Sequence, residues 1–274
     1  PRALTVSDLF AGALVPGLAL VALYLLFLIA VAFIRPEASP ALPRDANGAK
    51  GFAFAGRLIA ALVAPLALIA AVLGSILGGV ATPTEAGSIG AVGAVLLAAR
   101  KGALGAALKP VVEKTTQIVG MIFLILIGAT AFSLVFRALG GDVMVERALT
   151  HLPGGTDGAI LTVMLAMFLL GFVMDAFEII FVVVPIVAPP LLQMPGVDPV
   201  WLGVMMAMNL QTSYMHPPLG PTLFFLRSVA PPEITTKDIY VGIIPFVVIQ
   251  LCALVVLWFW PGLATGLPHL LYGH

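Results

Sequence analysis

Polar side chains and helix-breaking residues occur together in one apolar part of the sequence, Asn209–Pro221. Its prolines cannot continue a helix, because proline lacks the N–H donor and its ring clashes with the preceding turn. In hydrocarbon, irregular backbone survives only where it lines a cavity or is buried in protein. We therefore interpret the stretch as a broken helix that forms an ion or substrate site. The oxygen atoms available there for a cation are those of the Asn209, Gln211, Thr212 and Ser213 side chains and of the Pro217 and Pro218 carbonyls.

Two further residues of this stretch have specific expected roles. Gly220 allows a backbone conformation that is closed to other residues. His216 is the stretch's single histidine, and no second histidine, cysteine or carboxylate accompanies it at metal-ligand spacing, which disfavours a transition-metal site. We expect a hydrogen-bonded histidine at the helix break, and we group it with Gln211 and Ser213 on the substrate side of the site.

The segment Gly78–Gly87 has the composition of a cation-binding turn, with two adjacent glycines, a proline and two threonines. Na⁺ is a hard cation, and hard cations take oxygen ligands. The candidate ligands are the backbone carbonyls of Gly78, Gly79 and Ala81 and the hydroxyls of Thr82 and Thr84. Thr82 can equally cap a helix with Glu85 as its capping-box partner, and the two roles are compatible.

Asp175 is a carboxylate within a long apolar stretch, Ala159–Leu192. A carboxylate in a membrane is costly, so Asp175 is expected to be functional or paired. The apolar arms on either side of Gly171–Asp175 are each short of a comfortable span. This pattern favours a re-entrant hairpin with Asp175 at its tip over one long helix broken at its prolines. Asp175 could coordinate an ion, relay a proton or cap the second arm, and Glu178 lies one turn further on.

The composition indicates the class of protein. The 274 residues are 61% hydrophobic and 9% charged, whereas a soluble domain has roughly 25% charged residues. The long continuous apolar runs indicate an all-α integral membrane protein rather than a barrel. A net charge of zero argues against a nucleic-acid partner. The sequence begins at Pro1 with no recognisable signal peptide, and we expect it to be part of a longer protein.

The apolar runs predict a multi-span helical bundle with discontinuous helices. Basic residues in Arg35–Arg57 and Arg100–Lys114 place both loops in the cytoplasm, and the acidic Gly140–Gly158 loop is assigned outside. The small residues of Ser88–Ala99 predict a helix-packing surface. The predicted membrane segments are Phe10–Ile34, Leu58–Leu77, Ser88–Ala99, Thr115–Phe136 and Tyr240–Trp260.

We divide the chain into four parts on this basis. Residues 1–57 are a spanning helix with a cytoplasmic linker and belong to a scaffold. Residues 58–138 are the helices around the Gly78–Gly87 turn. Residues 159–230, with the hairpin and the broken helix, form the transport part, and residues 239–261 are the final spanning helix.

Several motifs occur in a fixed order, and together they resemble one family. They are Gly79-Val-Ala-Thr-Pro-Thr-Glu-Ala86, Leu170-Gly-Phe-Val-Met-Asp175, Gly196-Val-Asp-Pro-Val-Trp-Leu-Gly203 and Pro217-Pro-Leu-Gly220. The sequence is similar to the C-terminal portion of the large membrane subunit of tripartite ATP-independent periplasmic (TRAP) transporters. The resemblance extends from Asp8 to Phe246.

The resemblance implies an elevator-type, Na⁺-driven secondary transporter of the bacterial inner membrane. Its partners would be a small four-helix membrane subunit and a periplasmic substrate-binding protein, and its substrate a small organic acid. No cofactor is implied besides Na⁺ as the coupling ion. Carried over residue by residue, one Na⁺ site points to Gly79, Thr82 and Thr84, with support from the Asn209–Gly220 break.

One departure from the family pattern concerns His216, which stands where a threonine is usual. Thr212 or Ser213 could compensate for the missing hydroxyl, or the coupling ion could differ. Two alternatives to the TRAP interpretation are a carboxylate symporter that needs no binding protein and an intramembrane enzyme that uses Asp175. The sequence contains no nucleophile elbow, P-loop or dinucleotide fingerprint, so we predict that the protein is not an enzyme.

Overall fold

The computed structural model describes residues 5–38, 52–100, 102, 104–218, 220–231 and 233–273, and every regular element in these ranges is helical. A short 3₁₀ turn, Pro36–Ala38, follows the first helix. In chain order the helices are α1 (Val6–Ile34), α2 (Phe52–Leu77), α3 (Pro83–Arg100), α4 (Leu104–Ala138), α5 (Gly141–Thr150), α6 (Gly155–Leu170), α7 (Ala176–Leu192), α8 (Pro199–Ser213), α9 (Pro221–Val229), α10 (Thr236–Phe259) and α11 (Gly262–Tyr272).

Within these ranges α1, α4 and α10 are long and apolar enough to cross a membrane. Their apolar side chains are mostly exposed in the isolated chain, which fits contact with lipid or with other helices. The prediction of a helical membrane protein is therefore confirmed. The predicted spans Phe10–Ile34 and Thr115–Phe136 fall inside α1 and α4.

The loops are shorter than predicted. Helix α4 begins at Leu104, so most of the expected Arg100–Lys114 loop is helical. Lys109 and Glu113 lie one turn apart on that helix with Nζ and Oε1 3.8 Å apart and both side chains largely exposed. Their charge therefore marks a solvated face of a helix rather than a loop. Similarly, α5 lies in the expected Gly140–Gly158 loop.

Two other expectations about boundaries also change. Helix α2 begins at Phe52, so the end of the predicted Arg35–Arg57 linker is helical, while residues 39–51 of that linker lie outside the described residues. Helix α11 follows the last predicted span and was not anticipated.

The residue contacts divide the described chain into two compact units. The first unit includes Leu25–Thr116, and in it α2 and α3 pack against each other. A Cβ added to Gly90 would lie 3.3 Å from Val72 Cγ2, and one added to Gly93 would collide with Leu68 Cδ1. Small residues let helices approach closely, so the predicted packing role of Ser88–Ala99 is confirmed.

The second unit includes Gly12–Tyr24 and Gln117–His274, and α8 is its central helix. Helix α8 contacts α6, α10 and α11. Asp198 caps its N-terminus by accepting the Trp201 N–H at 2.8 Å, and Pro199 occupies its first position. Most of its length is buried, including Trp201, Leu202, Val204, Met205, Met206, Met208, Leu210, Asn209, Thr212 and Ser213.

Candidate ion and substrate site

The hairpin around Asp175 consists of α6, the turn Gly171–Asp175 and α7, and the two helices pack against each other. The alternative of a single helix broken at its prolines is wrong, because the chain turns at Gly171 and α7 continues through Pro189 and Pro190. Helix α7 has a π-helical stretch at Ile179–Val183. Re-entry of this hairpin into the bilayer stays a prediction.

Asp175 and Glu178 form a reciprocal capping box at the start of α7. Asp175 Oδ2 accepts the Phe177 N–H at 3.1 Å, and Glu178 Oε2 accepts the Asp175 N–H at 3.3 Å. Both side chains are half-buried. The cap satisfies backbone donors at the hairpin tip, so the expected capping role of Asp175 is confirmed. A substrate or ion role for either residue stays a prediction.

The helix break is shorter than the sequence indicated. Helix α8 continues to Ser213, and the described residues of the irregular segment are Tyr214–Pro218 and Gly220. Asn209 and Thr212 are thus helical and buried, with 2% and 0% exposure. Gln211 is exposed on the opposite face of α8 and does not join them.

The two buried polar residues of α8 each donate a hydrogen bond to a backbone carbonyl. Asn209 Nδ2 donates to Met164 O of α6 at 2.7 Å, which links α8 to the hairpin. Thr212 Oγ1 donates to Asn209 O at 2.6 Å. A hydroxyl that donates keeps its acceptor lone pairs, so Thr212 can still offer an oxygen to a cation.

The break is a closed loop with Gly220 at its crossing point. The Gly220 N–H donates to His216 O at 2.7 Å, and the Thr222 N–H donates to Tyr214 O at 3.2 Å. A Cβ at Gly220 would lie 2.6 Å from Tyr214 O and 2.9 Å from His216 O. The expected special backbone conformation is wrong, because Gly220 has an ordinary φ of −57°. Glycine is needed here because only a residue without a side chain fits so close an approach of backbone to backbone.

The loop also provides free oxygen ligands. The Pro217–Pro218 peptide bond is cis, and neither of these two carbonyls accepts a backbone hydrogen bond within the described part of the chain. Pro217 is half-buried and Gly220 is buried. This donor set consists of oxygen atoms, so it fits a hard monovalent cation such as Na⁺.

The Gly78–Gly87 turn belongs to the other unit and is described by itself. Thr82 and Glu85 form the predicted capping box: Glu85 Oε2 accepts the Thr82 N–H and O–H, each at 2.8 Å, and Thr82 Oγ1 accepts the Glu85 N–H at 3.4 Å. Gly79 has a φ of 67°, which favours glycine. In the described chain no backbone N–H bonds to the carbonyls of Gly78, Gly79 or Ala81.

Both threonines of this turn are exposed. The Thr82 hydroxyl takes part in the cap, whereas Thr84 Oγ1 takes no part in it. The free carbonyls and the two hydroxyls make the turn a second oxygen-rich position that fits a hard cation.

His216 occupies a different environment from the hydrogen-bonded one that the sequence suggested. It is 1% exposed, and neither ring nitrogen meets a partner in hydrogen-bonding geometry among the described residues, although the Gly171 backbone lies beside Nδ1. Its ring stacks on Phe172 of the hairpin turn with centroids 4.1 Å apart. Aromatic packing, rather than polar pairing, therefore fixes the imidazole.

Sequence reasoning missed Gln250 and Tyr24, which link α10 to α8 and to α1. Gln250 is fully buried, and its Nε2 donates to Met208 O at 2.8 Å. The Tyr24 hydroxyl donates to Gln250 Oε1 at 3.0 Å. A lone glutamine inside the apolar run of α10 was the available signal, because polar side chains in membrane helices serve as interhelical hydrogen-bond donors.

We predict that Gln250→Leu lowers the free energy of unfolding in detergent by about 1 kcal/mol, the scale of hydrogen bonds between membrane helices. Tyr24→Phe in the Gln250→Leu background should cost less than Tyr24→Phe alone, because its partner is already gone. Gln193→Leu is the matched control, since Gln193 is exposed. Equal costs of Tyr24→Phe in both backgrounds would contradict the linkage.

Comparison with known proteins identifies the family. Residues 2–263 match the family described as "Tripartite ATP-independent periplasmic transporter, DctM component". The chain therefore belongs to the DctM family of TRAP transporter permeases. This family consists of transporter permeases and not of enzymes, so the enzyme alternative is excluded.

The individual relatives have low sequence identity to this chain, but each matches most of its length. The C4-dicarboxylate TRAP transporter large permease protein DctM of Vibrio cholerae is 26% identical over 230 residues, which cover 76% of this chain and 50% of the relative. The ectoine TRAP transporter large permease protein TeaC of Halomonas elongata is 23% identical over 270 residues, 98% of this chain and 61% of the relative. The isethionate TRAP transporter permease protein DctMQ of Oleidesulfovibrio alaskensis is 27% identical over 195 residues, 70% of this chain and 30% of the relative. The chain thus spans about half the length of the V. cholerae relative.

Proposed function

We propose that this chain carries the ion and substrate site of a Na⁺-coupled, binding-protein-dependent transporter. The transporter imports a small organic acid across the bacterial inner membrane. The observation that supports this best is the closed break at the end of α8. It combines two prolyl carbonyls that accept no backbone hydrogen bond among the described residues with the buried Thr212 hydroxyl near the end of an apolar helix.

The partners are proposed from the family description. A tripartite periplasmic transporter has two components besides its DctM component, and the description supports a small membrane subunit and a periplasmic substrate-binding protein in those roles. The substrate class is proposed from the relatives, which are named for C4-dicarboxylates, isethionate and ectoine.

In this mechanism a cation reduces the cost of moving an anion through the bilayer. An isolated charge in hydrocarbon is strongly unfavourable, and an oxygen-lined cation beside the substrate carboxylate lowers the net charge that must cross. Oxygen ligands from the break hold the cation, and the Gly78–Gly87 turn is proposed as a separate cation position. The transport part, residues 159–230, then carries ion and substrate together in an elevator motion.

Uptake by the full-length protein tests the proposal. The protein would be reconstituted into proteoliposomes with its small subunit, and uptake of succinate, isethionate and ectoine would be measured with and without a candidate binding protein. We expect uptake of one compound to require both an inward Na⁺ gradient and the binding protein. Uptake without a binding protein would favour the simple symporter, and uptake that ignores Na⁺ would contradict the coupling ion.

Substitutions of the threonines test the Na⁺ ligands. We predict that Thr82→Ala and Thr84→Ala each raise the Na⁺ concentration for half-maximal uptake by roughly tenfold, the equivalent of about 1.4 kcal/mol of lost binding energy. Thr82→Ser keeps both the cap and the hydroxyl and should behave like the parent protein. If both alanine variants keep the parent Na⁺ dependence, the assigned ligands are wrong.

A further inference from the structure

Ser213 and His216 bring together buried polar atoms that lack hydrogen-bond partners. Ser213 is 4% exposed and His216 is 1% exposed. Among the described residues, neither Ser213 Oγ nor either His216 ring nitrogen has a partner in hydrogen-bonding geometry. Native proteins leave few buried polar groups unpaired, and each such group calls for a specific explanation, such as a ligand. Both side chains belong to the end of α8 and the break that follows it.

The hairpin turn covers these two side chains. The Phe172 ring stacks on the imidazole at 4.1 Å and 10°, and the Phe168 ring meets it edge-on at 4.6 Å and 86°. A Cβ added to Gly171 would collide with Ser213 Oγ and lie 3.1 Å from His216 Nδ1. Phe172 itself is 37% exposed, so the ring that stacks on the imidazole also reaches the surface of this unit.

Packing alone does not account for a histidine in this position. A phenylalanine ring would fill the same stack without burying two nitrogens that no described residue meets in hydrogen-bonding geometry, which is unfavourable. Residues that break a local rule of stability are concentrated at functional sites. The serine adds a second unpaired group on the same side of Gly171.

We infer that Ser213 and His216 hold a carboxylate or hydroxyl of the transported molecule, and that the hairpin turn at Gly171 and Phe172 covers this position until the molecule arrives. The inference rests on the proposed transport function and assigns substrate contacts within it. The chemistry suits an organic acid, because a serine O–H and an imidazole N–H can both donate to one carboxylate. Binding then requires the turn to move away from α8.

Thiol labelling tests the cover without any need for substrate or a Na⁺ gradient. Ser213→Cys is introduced into the full-length protein with its other cysteines, including Cys252, replaced by alanine. A small water-soluble methanethiosulfonate reagent is then added to the protein in detergent. We expect Phe172→Ala to speed labelling by at least roughly tenfold, because reagents react with a thiolate only where they can reach it. Val173→Ala is the matched control, because Val173 lies in the same turn and is 74% exposed; it should leave the rate unchanged. Equal labelling rates with and without Phe172→Ala would contradict the proposal that the hairpin turn covers this position.

A second variant tests the binding role. His216→Phe should raise the melting temperature of the full-length protein, by roughly 2–4 °C, because it removes unpaired buried nitrogens and keeps the stack. The same variant should lose most uptake of the compound that the parent protein transports. A stabilised variant with parent uptake would overturn the substrate contact while leaving the transport function in place. Failure of uptake by the parent protein itself would instead overturn the proposed function, and the labelling result would still stand.

Discussion

Gly220→Ala is expected to abolish Na⁺-dependent uptake and the rise in melting temperature that Na⁺ produces. The added Cβ would lie 2.6 Å from Tyr214 O and 2.9 Å from His216 O. Both are backbone atoms, so no side-chain rotation relieves the collision. The loop has to open, which removes the hydrogen bonds from Gly220 N–H to His216 O and from Thr222 N–H to Tyr214 O. We expect overpacking to cost about 1–3 kcal/mol and the carbonyls to lose their arrangement.

The measurement is thermal unfolding of the full-length protein in Na⁺ and in K⁺, since a ligand that binds only the folded state raises its stability. Gly242→Ala is the matched control, because a Cβ at Gly242 in α10 meets nothing within 4 Å. The control should keep the full Na⁺ response. A Gly220→Ala protein that folds and still responds to Na⁺ as the parent does would show that the break is not the cation site.

The helices that the sequence predicted well are those whose apolar runs are long enough to leave no other choice. Helices α1, α4 and α10 are long and apolar enough to cross a membrane. Such apolar runs can cross a bilayer only as helices, because every backbone polar group must be hydrogen-bonded within the segment. Short amphipathic helices such as α5 lack that signal, because their charged residues look the same as those of a loop.

The extent of the break was misjudged for a physical reason. Asn, Thr and Ser favour turns in water, so Asn209–Ser213 looked irregular. In an apolar unit the same side chains bond to helical carbonyls, as Asn209 does to Met164 O and Thr212 to Asn209 O. Polar composition therefore indicated the candidate site but not the end of the helix, which proline and Gly220 determine.

The residues that contact the candidate site could not be deduced from spacing along the sequence. The capping boxes at Thr82 and Asp175 were foreseen because a cap is a local pattern of three to four residues. The stack of Phe172 on His216 and the bonds of Gln250 join positions far apart in the chain. Such contacts depend on how α6, α8 and α10 pack, which a single sequence does not specify.

Gly171→Ala provides the second large expected effect, since it forces apart the hairpin turn and the end of α8. The new Cβ would collide with Ser213 Oγ and lie 3.1 Å from His216 Nδ1. We expect a loss of about 1–3 kcal/mol in the free energy of unfolding, because rotation of Ser213 moves Oγ but not Cβ, which also lies 3.1 Å from the added atom. Gly266→Ala, where a Cβ meets nothing within 4 Å, should have almost no effect.

Ser213→Ala in the Gly171→Ala background separates packing from function. Removal of the hydroxyl takes away the atom nearest to the added Cβ, so the double variant should regain part of the lost stability. It should not regain uptake, because Ser213 is one of the two proposed substrate contacts. Unfolding of the single and double variants in detergent and uptake in proteoliposomes measure the two effects. If the double variant is as unstable as Gly171→Ala, the lost stability does not come from a collision with Ser213 Oγ. If it transports like the parent protein, Ser213 is not a substrate contact.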